Sequence, residues 1–170
     1  AVFADPPNKE KVSTAVDNAI KQLTADVTNA KDATLKSNLN NLMAKFTELQ
    51  QQIKAITDDK INAIVYADQG FPALLPALTK EQGDLEKKLK AEPVLAKFDA
   101  VTTAIGSNNG GKFDVLKSEV TLFKGQVDTA TDLDGYGKLA DFLLNRAKPA
   151  KFEAVFADPP NKEKVSTAVD

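Results

Sequence analysis

An all-α fold is predicted by three features. Apolar residues recur every three or four positions along most of the chain, no stretch alternates with period two, and glycine and proline gather at a few boundaries. The expected architecture is an elongated antiparallel helical bundle with three long and three to four short helices. With 170 residues, 42% of them apolar and 27% charged, the chain can bury an ordinary core. It contains no cysteine, histidine or tryptophan. Thiolate and imidazole zinc sites, cysteine nucleophiles, histidine general bases and disulfides are therefore excluded.

The first helix is expected from about Pro7 to Ala30, because Val12, Val16, Ile20, Leu23 and Val27 keep one face apolar and Asp5 is placed to cap it. The phase resets near Asp32. Leu35, Leu39, Leu42, Phe46, Leu49, Ile53 and Ile56 then form a heptad seam, expected to be buried within the chain. Thr57, Asp58 and Asp59 mark a break, followed by Ile61, Ile64 and Val65 and a stop at Gly70. In the segment 71–78 two prolines stand among Phe71, Leu74, Leu75 and Leu78, which predicts that no long helix crosses it. Thr79 with Gln82 reads as a capping box that opens a short polar helix. Pro93 is expected to restart the chain, with Leu95, Phe98, Val101 and Ile105 as the next apolar face before a glycine-rich loop at 106–111. A third long helix is predicted from Phe113 to Ala130, and a last one opens at Asp134 and Gly135.

Residues 154–170 repeat residues 1–17 without a difference, so the sequence returns on itself with a period of 153. Chance does not produce such identity. The expected organisation is a helical unit at 1–153 followed at 154–170 by the start of the next copy, within a tandem array whose beads each own a core. The junction carries Pro149, Phe156, Asp158, Pro159 and Pro160 and lacks a Gly or Ser tract, which predicts a short, stiff connection.

Motifs that could carry chemistry are sparse. Gly106 to Lys112 satisfies G-x-x-x-x-G-K, but Phe113 stands where a magnesium-binding hydroxyl belongs and no strand precedes it. Asp132, Asp134, Gly135 and Asp141 fall at calcium-loop spacing, whereas Ala130 occupies the first ligand position, so a capped turn is expected. Asp58 and Asp59 suit a first-turn dipole role. Lys87, Lys88 and Lys90 lie among Glu81, Asp84, Glu86 and Glu92, a solvated mixed-charge face. No catalytic, cofactor or metal site is expected, and the protein is read as not an enzyme. A net charge of -2 gives no field for nucleic acid, and no apolar run reaches membrane-spanning length. Nine phenylalanines, Phe46, Phe98, Phe113, Phe123 and Phe142 among them, admit a cavity, for which Phe71, Leu74, Leu75 and Leu78 are the candidate apolar pocket or lid.

The organisation is similar to that of bacterial surface proteins built from helical-bundle repeats and of secreted helical polyproteins that carry lipids. Neither group's signature is present residue by residue, so neither resemblance carries a site over. The function expected is a non-enzymatic structural or interaction module of an exported tandem-repeat protein, extracellular or on the cell surface, whose partners are neighbouring copies. The alternative is a carrier of a hydrophobic ligand such as a fatty acid.

Overall fold

The computed structural model describes residues 8–66, 73–106 and 113–147. Among these the secondary structure is entirely helical, and the chain divides into two compact units at Glu92 and Pro93.

In the first unit, α1 (Lys9–Asn29) and α2 (Ala33–Ala55) form an antiparallel hairpin. Its pairing is tied at both ends. Lys9 Nζ donates to the Ile56 and Lys54 carbonyls at 2.8 and 3.1 Å, while the tight turn at Ala30 to Asp32 joins the other end. Each N-terminus has its own cap: Asn8 accepts from the Lys11 amide and Asp32 from the Leu35 amide. The seam residues Leu35, Leu39, Leu42, Phe46, Leu49 and Ile53 are all buried and meet Val12, Val16 and Leu23 of α1. A 3₁₀ turn (Asp58–Lys60) and the single-turn α3 (Asn62–Val65) follow, adding Ile61 and Ile64 to this core. Leu85 completes it from α4 (Leu74–Ile105), the helix that carries the chain past the division.

The second unit comprises the remainder of α4, then α5 (Asp114–Gln126), a 3₁₀ turn (Val127–Thr129) and α6 (Leu133–Ala147). Its buried side chains are Val94, Phe98, Val101 and Ile105, then Leu116, Val120 and Val127, then Ala140, Leu143 and Ala147. Lys97 pairs with Asp141 at 2.6 Å, Arg146 with Glu119 at 2.9 Å, and Lys124 with Asp99.

Four expectations about the elements are corrected. The first helix is capped by Asn8 and starts at Lys9, two residues later than expected, because the Asn8 carboxamide is the group that reaches an orphan amide; Asp5 lies outside the described residues. No helix crosses the segment 71–78, since α4 begins inside it at Leu74, but the expected restart at Pro93 gives way to the single 32-residue α4. Pro76 falls in its first turn, where an amide needs no partner, and Pro93 lies on an exposed side of the helix. Thr79 is consequently interior to a helix and donates back to the Leu75 carbonyl instead of capping. The helix expected over 113–130 stops at Gln126, just after Gly125, whose poor helix propensity weakens the last turn. The last helix starts at Leu133: Asp132, not Asp134, accepts from the Gly135 amide, at 2.8 Å.

Candidate functional site

Leu74 and Leu78 stand four residues apart in the first two turns of α4, and with Leu49 and Gln52 of α2 they line an open groove of about 210 Å³. Lys45 and Glu48 close its polar side, and Lys45 is held there by Glu81 at 2.9 Å. Leu74 is 47% exposed, whereas Leu75 and Leu78 are half-buried against the core of the first unit. So the structure brings two members of the predicted apolar set to one groove and turns the third toward the interior. Phe71 lies outside the described residues, as do the junction residues Pro149, Phe156, Asp158, Pro159 and Pro160. Sites that enclose drug-sized ligands run to roughly 300–1,000 Å³ with most of the ligand surface covered. This groove is smaller and unroofed.

The remaining motifs resolve into local structure. Gly106, at φ 68°, ends α4 in the left-handed conformation and donates to the Thr102 carbonyl; positions 107–112 of the phosphate-loop pattern lie outside the described residues. The three carboxylates at calcium-loop spacing are separately engaged. Asp132 caps α6, Asp134 pairs with Lys138, and Asp141 pairs with Lys97. Among the described residues no three Asp or Glu side chains gather closely enough to hold a metal ion. Asp58 and Asp59 stand in the first turn of the 3₁₀ helix, and Asp58 also acts at the start of α1, where its carboxylate accepts from the Lys9 amide at 3.3 Å.

On the mixed-charge face, Asp84 accepts from Lys80 at 2.8 Å and faces Lys87 at 3.8 Å. The Lys80 hydrogen bond, reinforced by its charge, holds the Asp84 carboxyl below the ordinary carboxylate range and raises the ammonium in return. Lys138 does the same for Asp134. All of these groups are open to solvent, so the pairs set local protonation and add little to stability.

Two polar side chains carry more of the fold than their residue type suggests. Glu92 reaches the turn between α1 and α2 with both carboxylate oxygens, accepting from the Asp32 amide at 2.8 Å and the Lys31 amide at 3.0 Å. It ties α4 to the hairpin across some 60 positions of sequence. Asp26 is only 4% exposed; its Oδ1 accepts from Gln22 Nε2 at 2.9 Å, and its buried Oδ2 has no donor among the described residues. Asp26 follows Leu23 by three positions and precedes Ala30 by four, so helix geometry places it on the buried face of α1 despite its charge.

On the second unit three large apolar side chains remain exposed: Val115 at 69%, Leu122 at 57% and Phe142 at 59%. No family model, curated protein sequence or solved structure matches this chain.

Proposed function

We propose that the chain is a non-enzymatic structural or interaction module of an exported, extracellular tandem-repeat protein, in which linked copies act together. The observation that carries this reading is the unbroken identity of residues 154–170 with 1–17. A chain that repeats itself gains reach and effective concentration without any one copy needing chemistry. The way the charged groups are used supports it. The carboxylates and ammoniums that could form a reactive cluster are instead spent on caps and surface ion pairs such as Lys97–Asp141 and Arg146–Glu119. No helix among the described residues is long and apolar enough to cross a membrane. The test is the parent reading frame: two or more consecutive 153-residue copies behind an export signal are expected, and a single copy refutes the proposal.

A second reading, carriage of a hydrophobic ligand, is favoured by one observation, the groove at Leu49, Leu74 and Leu78. It is tested by titrating a fluorescent fatty acid against the 170-residue chain. Saturable binding below about 1 μM that is lost in Leu78→Glu would establish the carrier; no uptake leaves the module.

A further inference from the structure

The second unit presents a face that its own fold leaves uncovered. Val115 and Leu122 stand seven residues apart on α5, two turns on one side of the helix, with Glu119 between them. Glu119 pairs with Arg146 of α6, and the Arg146 guanidinium lies 5.8 Å from the centre of the Phe142 ring. These contacts join the two helices into one exposed surface: three apolar side chains around an ion pair that is itself partly stacked on an aromatic ring.

We propose that this face is the docking surface for the entry end of a following copy of the same chain, the end at which α1 begins. The inference rests on the tandem reading above. Three observations select this occupant. First, Phe142 lies five residues before Ala147, the end of α6, which places it about 8 Å along the helix axis from the point where the chain leaves. Second, Asn161 begins the same sequence as Asn8, the cap of α1, so only the 13 residues 148–160 separate the end of α6 from the sequence that forms α1 in the first copy, a reach of at most about 45 Å. Third, the apolar area is modest. The exposed parts of Val115, Leu122 and Phe142 amount to roughly 300 Å², well under the roughly 800 Å² per partner that free complexes bury. A face of that size holds a tethered neighbour, for which the effective concentration reaches roughly millimolar, and fails to hold one in free solution.

The test compares the 170-residue chain with the same chain extended by residues 18–153, so that it carries two full copies. Because the protein has no cysteine, one cysteine introduced per copy accepts a spin label without background. The two-copy chain is expected to give a narrow interlabel distance distribution. Val115→Lys with Phe142→Lys should broaden it at least twofold, and Leu122→Lys alone is a second, milder variant should the pair disturb folding. These side chains are exposed, so the melting temperature of the single copy should not move. The 170-residue chain should sediment as a monomer at about 100 μM. A broad distribution in the unmodified two-copy chain, or a narrow one that survives the substitutions, overturns the docking while leaving the tandem array intact. Dimerisation of the 170-residue chain that the substitutions abolish overturns the tethered assignment in favour of free association. A parent gene with a single copy would instead remove the tandem reading itself.

Discussion

Replacing Asp26 by leucine should stabilise the first unit. The two side chains match in heavy-atom count and branching, so leucine follows the path of the aspartate side chain, and its bulkier methyl groups offset part of the gain. In the native protein Oδ2 is buried with no donor among the described residues, and an unsatisfied buried acceptor costs about 1–3 kcal/mol, more where it carries charge. What the substitution gives up is one hydrogen bond, from Gln22 Nε2, and Gln22 is exposed, so its amide regains water. Leucine also has a helix propensity better than that of aspartate by a few tenths of a kcal/mol. The net expectation is a gain of about 1–3 kcal/mol, with asparagine giving less because it keeps polar atoms at the same place. Tyr66 and Tyr136 are the chain's two tyrosines, one in each unit, so a Tyr136→Phe background leaves Tyr66 fluorescence as a reporter of the first unit alone. In urea the midpoint should rise by roughly 0.5–2 M at unchanged slope. A lower midpoint for Asp26→Leu would refute the reasoning, since it would mean that Oδ2 is bound in the native state.

Glu92→Ala should destabilise the first unit by about 1–2 kcal/mol, because two amides at the hairpin turn lose their acceptor; Glu92→Gln, which keeps one acceptor oxygen, should fall between, and equal midpoints for all three proteins would show the clasp to be idle. Phe46→Ala should cost about 3–5 kcal/mol by opening a cavity in the core, whereas Phe142→Ala at the exposed face should stay within about 0.5 kcal/mol, as read from urea midpoints. The carboxyls of Asp84 and Asp134 titrate lower in the folded chain than in the unfolded one, so their contribution is complete above the ordinary carboxylate value near pH 4 and is lost as pH falls through the folded-state values. Lys80 and Lys138 are raised, so their contribution is complete below the ordinary lysine value near pH 10.4 and disappears as pH rises through the folded-state values. Asp84→Asn with Asp134→Asn should therefore flatten both the acid and the alkaline limbs of a midpoint-against-pH curve, by a small amount that 0.5 M salt reduces further.

The helical class and the seam from Leu35 to Ile53 were legible in the sequence, because each depends on residues within one or two turns of one another. Periodicity read both correctly, whereas capping chemistry misplaced its residues: Thr79 lies inside a helix, and Asn8 and Asp132 cap where Asp5 and Asp134 were expected. The repeat was legible for a different reason, since identity of sequence needs no structure. Tertiary packing decided the rest. It overrode the prolines at 76 and 93, keeping α4 whole because one falls in the first turn and the other on an exposed side, facts no linear pattern contains. It brought Glu92 to amides 60 positions away. It also left Val115, Leu122 and Phe142 in solvent, although as apolar residues on helices they resemble the ones beside them that pack inside. Which side chain faces which neighbour depends on how helices are set against one another, and that is settled by the whole three-dimensional fit instead of by any local run of residues.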